Sequence, residues 1–182
     1  MIGQLPIAPP LVGLDSCVFI EAAKVPNGVC NVIVTLATQK LYRVLLVPRV
    51  HYEVRKELEP VGLLPVYEDW LAQSDVVSCR PPTTKEIRDS VPFIWPRITH
   101  CPDYRIAVSV RTFTPRYFIT SNTRDRKDWN RTPELRAGLG GTAVVVPKQY
   151  LVDLGVSIPS RNKPKPSQPA TTGSLFDSET FH

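Results

Sequence analysis

Four acidic side chains, Asp15, Glu53, Asp103 and Asp125, stand far apart in the chain but occupy related places. Asp15 ends the apolar run Leu11-Val-Gly-Leu14, and Glu53 lies in the first turns after Val44-Leu-Leu-Val47. Asp103 opens the helix leading into Tyr117-Phe-Ile-Thr120, and Asn122 and Asp125 follow that run at once. In open parallel α/β sheets the ligand crevice lies outside the carboxyl ends of the strands. Several carboxylates gathered there repel unless a cation joins them, and a hard-oxygen set selects Mg²⁺ or Mn²⁺ over zinc. Such a cluster positions phosphates and lowers the pKa of a bound water, the chemistry of metal-dependent nucleases and phosphatases. Taken singly, each acid also has a structural explanation. An Asp after a strand is often an N-cap, and an Asp at a helix start complements the dipole. The shared location is what favours the joint reading.

The elements that must position these acids follow from the pattern of apolar residues and prolines. Leu11–Leu14 and Val44–Val47 read as buried strands, the second closed by Pro48. Residues 29–42 carry helical spacing, and Val50 to Leu58 forms a helix stopped by Pro60. On that helix Glu53 and Glu57 share one face, so Glu57 competes for the same role. Tyr67 to Ala72 is a short helix and Asp75–Ser78 a short strand. Thr83-Thr-Lys-Glu86 has capping-box spacing and opens a further helix. Pro92–Pro102 reads as a packed loop, after which Pro102-Asp103 starts a helix buried through Ile106, Ala107 and Val110. Gly138–Gly141 breaks the chain before the last strand, Thr142–Val146, and Pro147 begins a closing helix. Strands apolar throughout, alternating with helices, indicate a parallel sheet covered on both faces. The expected division is an irregular lead-in at 1–10, one domain at 11–158 and a flexible Pro/Ser-rich tail at 159–182, in which Leu175, Phe176 and Phe181 could dock.

Composition narrows the class. At 182 residues, 42% hydrophobic and 21% charged, the chain suits one globular domain. A net charge of +5 permits nucleic acid or an anionic membrane as a partner without demanding either. Four cysteines without a CxxC pair argue against a disulfide framework or a structural zinc site and for reduced thiols. The opening MIGQLPIAPPLVGL has no basic segment and three prolines, unlike a signal peptide. No apolar run approaches a membrane span. A soluble, cytoplasmic protein with no membrane association is expected.

Four segments together resemble the PIN-domain family, the fold of many bacterial toxin-type ribonucleases. Leu11-Val-Gly-Leu-Asp-Ser-Cys-Val-Phe-Ile20 resembles its opening strand with Asp15 and Ser16. Val47-Pro-Arg-Val-His-Tyr-Glu53 resembles the segment supplying its glutamate. Asp103-Tyr-Arg-Ile-Ala107 resembles the start of its central helix, and Tyr117–Asp125 its fourth strand and following loop. The likeness covers residues 11–151 in the family's order. It implies an α/β fold, a three-layer α/β/α sandwich around a parallel sheet of about five strands. It implies Mg²⁺- or Mn²⁺-dependent endonucleolytic cleavage of RNA, with Asp15 and Asp103 as metal ligands and Glu53 as a ligand or holder of metal-bound water. A cognate antitoxin is implied as a partner by the family alone, and a homodimer is left open. Many members carry a fourth acid where this chain has Asn122; Asp125, one helical turn on, is the substitute, and a second metal is in doubt.

Other residues have competing readings. Residues 103–136 are the most basic stretch, through Arg105, Arg111, Arg116, Arg124, Arg126, Lys127, Arg131 and Arg136. This is either a phosphate-contacting rim or a solvated mixed-charge surface, with Arg124, Arg126 and Lys127 nearest the proposed centre. Trp129 could stack on a base, but a packed aromatic is the plainer reading, as core or interface is for Trp70 and Trp95. His51 and His100 lie close in sequence to proposed acids, where a general base is unnecessary beside a metal-bound water. Cys17 reads as a buried inert thiol, and Ser16 or Thr120 as hydrogen-bonding support for the carboxylates. The rival function is a PIN-like module that has lost catalysis and binds RNA or a protein partner, a reading favoured by Asn122. A small-molecule phosphatase is disfavoured because Asp15-Ser-Cys lacks a second acid two positions on.

Overall fold

The computed structural model describes residues 8–94, 101–122, 129 and 133–157, and the apolar runs become five strands within it. These are β1 (Leu11–Leu14), β2 (Arg43–Leu46), β3 (Val76–Ser78), β4 (Tyr117–Ile119) and β5 (Ala143–Val145). Every pairing is parallel, in the order β3-β2-β1-β4-β5. The sheet buries both faces of its central strand: Val12 and Leu14 are fully enclosed, and Gly13 between them is buried too. That is why these strands are apolar throughout rather than alternating.

Among the described residues eight α-helices surround the sheet: α1 (Ser16–Lys24), α2 (Val29–Thr38), α3 (Pro48–Leu58), α4 (Leu64–Gln73), α5 (Thr84–Ile94), α6 (Cys101–Phe113), α7 (Pro133–Gly138) and α8 (Pro147–Asp153). Proline opens α3 and α8 where its missing N–H is no loss, so strand turns to helix without a linker. One group of helices packs as α1, α2, α4 and α8, another as α5, α6 and α7, and α3 meets both α1 and α6. The result is the expected α/β/α sandwich. Helix α6 is buried nearly all round from Tyr104 to Val110, and its buried Ser109 hydroxyl donates to the Arg105 carbonyl at 3.1 Å. The capping box opens α5 as expected. Glu86 N–H donates to Thr83 Oγ1 (3.2 Å) and Thr83 N–H to Glu86 Oε2 (2.7 Å), while the Arg80 fork holds the Glu86 carboxyl down at about 2.

Most boundaries shift by a few residues from the sequence reading: the helix read over 29–42 ends at Thr38, that read from Tyr67 starts at Leu64, and the strands read to Thr120 and over Thr142–Val146 are Tyr117–Ile119 and Ala143–Val145. The first strand ends at Leu14 as read, and Ser16–Ile20, grouped with it in the family likeness, starts α1, because Asp15 caps the turn and Val18, Phe19, Ala22 and Ala23 repeat with helical spacing into the core. Val47 leaves the second strand and becomes the cap residue of α3. Pro92–Pro102 is not wholly a loop: α5 runs through Pro92 to Ile94, and Cys101 and Pro102 belong to α6. Of the lead-in, Pro9 and Pro10 lie against β2, with carbonyls accepting from Arg43 Nε (3.2 Å) and Arg43 N–H (2.9 Å). Among the described residues no single helix is long and apolar enough to cross a membrane. The apolar pair α1 and α2 bends by 104° and packs into the core.

Gly13 has a specific reason to lack a side chain. It pairs in register with Phe118 of β4, and a Cβ there would lie 2.7 Å from Phe118 Cδ2. Phe118 in turn stacks on Trp129, with centroids 5.5 Å apart and planes 24° from parallel. Both rings are buried, so neither yields freely. Gly13→Ala should therefore lower the unfolding free energy by about 1–3 kcal/mol, the usual cost of overpacking. Urea denaturation checks this; an unchanged midpoint would show that the ring can swing aside.

Candidate functional site

The strand order reverses direction at one place. From β1 the chain moves outward through β2 and β3, then returns to build β4 and β5 on the other side of β1. The mouth between the carboxyl ends of β1 and β4 is therefore the topological switch point, where open α/β sheets bind ligands. Asp15 and Thr120 occupy that mouth. Asp15 N–H donates to the Ile119 carbonyl at 2.9 Å, carrying the β1–β4 pairing one residue past the strand.

The Asp15 carboxylate is held from several sides. Ser16 N–H donates to Oδ1 at 2.8 Å, Thr120 Oγ1 donates to Oδ2 at 2.6 Å, and Cys17 Sγ donates to Oδ2 at 3.3 Å. Thr120 is itself fixed, 2% exposed and accepting from Asn122 N–H at 3.0 Å, while Cys17 Sγ accepts from Ser121 N–H at 3.2 Å. Among the described residues Asp15 has no ion pair; the salt bridges are Arg49–Glu53, Arg55–Glu68 and Arg80–Glu86. Its oxygens are oriented by neutral donors, and among the described residues the positive charge beside it is the N-terminus of α1, which it caps. The capping and the functional readings of Asp15 are therefore compatible.

Asp103, in the first turn of α6, shares a small, open cleft with Asp15. Ile106, Phe118, Thr120 and Trp129 complete the lining. Trp129 is 4% exposed and stacked on Phe118, so it is a wall of the cleft rather than an open platform. Glu53 reaches the site indirectly. Ser16 Oγ donates to Glu53 Oε2 at 2.8 Å while the Ser16 main chain holds Asp15, so a single residue bridges two acids. Arg49, one turn earlier on α3, takes the other oxygen of Glu53 at 2.7 Å. Glu57 is exposed, and it is Glu53 that Ser16 selects.

The structure thus brings Asp15, Asp103, Thr120 and Ser16 to one mouth and ties Glu53 to it. Among the described residues no three His, Cys, Asp or Glu side chains stand close enough to share an ion; Asp15 and Asp103 line one cleft, and Ser16 links Glu53 to Asp15. Asp125, Arg124, Arg126, Lys127, Arg131, His100 and Trp95 lie outside the described residues. Asn122 is exposed and contributes its main-chain N–H to Thr120. Elsewhere in the basic stretch, Arg111 braces α6 to α7 through the Gly138 carbonyl (2.5 Å), Arg116 lies over the Tyr117 ring, and Arg105 and Arg136 are exposed. His51 serves packing: Nδ1 lies 2.9 Å from the hydroxyl of fully buried Tyr67. Partial burial, reinforced by nearby Arg55, holds the His51 imidazole below its usual 6.5.

The donor set suits a hard divalent cation. Two carboxylates line one cleft, and among the described residues Asp15 has no basic partner. The thiol beside it does not change this preference. Burial, and then the Asp15 charge, push Cys17 up to about 11, so at neutral pH it remains an S–H donor rather than a soft thiolate ligand. Three features escaped sequence reasoning: the Cys17 contact, the Arg49–Glu53 pair and the Gly13–Phe118–Trp129 wall. The second was readable as an i,i+4 pair and the third as a glycine inside a strand. No family model matches the chain, and no curated protein matches it.

Two expectations follow from these contacts. Thr120→Val keeps the shape and removes the donor to Asp15, which should cost about 1.5–3 kcal/mol, as for a hydrogen bond to a charged group. In a double-mutant cycle with Asp15→Ala most of that cost should disappear; strict additivity would mean the bond contributes nothing. For His51 the folded pKa is depressed, so its contribution is complete above 6.5 and is lost as pH falls below that value. His51→Gln should flatten the fall in melting temperature between neutrality and mild acid; superimposed curves for variant and parent would rule the linkage out.

Proposed function

We propose that this chain is a metal-dependent endoribonuclease of toxin type, hydrolysing RNA phosphodiesters at the mouth between β1 and β4. The observation that carries the reading is the Asp15–Asp103 cleft at the switch point, with Asp15 fixed by neutral donors and, among the described residues, in no ion pair. The resemblance to the PIN-domain family supports it. Asp15 and Asp103 hold the cation, and Glu53, positioned by Ser16, is a further ligand or holds its water. Mg²⁺ or Mn²⁺, when bound, supplies charge neutralisation at the phosphate and a water of lowered pKa. Thr120, Ser16 and Cys17 keep the Asp15 oxygens aimed into the cleft. Asn122 takes the family's fourth position with Asp125 in reserve, and Arg124, Arg126 and Lys127 serve as phosphate contacts. A cognate antitoxin as partner, a homodimer and a cytoplasmic setting belong to the same proposal.

The alternative is a PIN-like module that binds RNA or a protein without cutting. It is favoured by the absence of a closed three-ligand set among the described residues and by the engagement of Glu53 with Arg49.

Purified protein should cleave single-stranded RNA with Mn²⁺. Asp15→Asn or Asp103→Asn should each reduce the rate by more than about 100-fold, beyond the effect of losing an outer hydrogen-bond partner. Parent-like cleavage by both variants would exclude the assignment. An unchanged melting temperature in millimolar Mn²⁺, together with RNA binding but no cutting, would select the non-catalytic module.

A further inference from the structure

Helix α3 presents a second feature on its solvent side. Among the described residues Tyr52 is the aromatic left largely open, at 56% exposure. Arg49, Tyr52 and Lys56 fall at i, i+3 and i+7, a spacing that aligns them along one face of the helix. The Arg49 guanidinium lies 5.3 Å from the centroid of the Tyr52 ring while its Nε engages Glu53. Lys56 is exposed and, among the described residues, has no ion pair. A cation, an open ring and a second cation therefore form a stripe that touches the site through Glu53, and Ser16 carries the connection on to Asp15.

The geometry points to a nucleotide subsite on this stripe: Tyr52 stacks one base of a single-stranded RNA, while Arg49 and Lys56 take the phosphates on either side. This rests on the nuclease reading and adds where the strand enters. An exposed tyrosine has a face for any base, and stacking of this kind tolerates sequence. Arg49 suits the phosphate because its fork matches the anion, and its present partner is also an oxyanion. An apolar protein partner is the poorer fit, since cations stand at two of the three positions of the stripe.

The test is fluorescence anisotropy of the full chain with a labelled single-stranded oligoribonucleotide of about ten nucleotides. It is run in EDTA and, in the Asp103→Asn background, with Mn²⁺. Tyr52→Ala should weaken binding by roughly 5- to 100-fold, and Tyr52→Phe should bind like the parent. Arg49→Gln and Lys56→Gln should each lower the slope of log affinity against log salt by about 0.7. If the parent binds and cuts RNA and Tyr52→Ala binds equally well, the subsite is overturned and the nuclease reading stands. If the parent binds no RNA under either condition, both fall. Unchanged RNA affinity with altered self-association on sedimentation would overturn the subsite in favour of a contact between copies of this chain.

Discussion

The hydrogen bond from Thr120 to Asp15 joins two strands that meet only because the chain reverses direction around them. A half-buried carboxylate with no cationic partner among the described residues is costly to keep charged. Here the cost is offset by fixed donors, Ser16 N–H, Cys17 Sγ and Thr120 Oγ1, and by the first turn of α1. Each donor is placed by backbone: Ser16 and Cys17 because Asp15 caps their helix, Thr120 because β4 ends beside β1. The carboxylate therefore has one orientation, and the cleft it shares with Asp103 inherits that geometry.

Glu53 is held by a different balance. Its oxygens are divided between a neutral hydroxyl and a guanidinium, and its partner Arg49 is 37% exposed. Exposed ion pairs contribute little to stability, so the attachment to Arg49 is easily exchanged while that to Ser16 follows from the α1–α3 packing. Two acids of the same type thus differ in character. Asp15 is locked, and Glu53 is tethered.

Much of this was legible in the sequence. The five strands were visible because a parallel sheet buried on both faces demands short unbroken apolar runs, and proline marks their ends at Pro48 and Pro147. Helix α1 was not seen as an element, because it follows β1 after the single residue Asp15 and periodicity does not divide strand from helix over so few residues. The positions of Asp15 and Asp103 were readable from their adjacency to elements. Their actual relation was not, because the reach of a side chain depends on neighbours from other segments: Ser16 on Glu53, Arg49 on the same carboxylate, Cys17 on Asp15. Long-range polar contacts of this kind leave no periodic signal.

The return of the chain from β3 to β4 has a consequence in time. Asp15 and Thr120 are separated by 105 positions, and β4 can pair with β1 only after everything between them has been made. Pairings of such high sequence separation close late, since the entropy of the intervening loop must be overcome first. During synthesis the first half of the domain can collapse around β1, β2 and β3 with a bare strand edge where β4 will lie. The mouth then has one wall. A chain built in this order stays without its assembled site until its second half emerges, which delays any activity that depends on both walls to the end of its own folding.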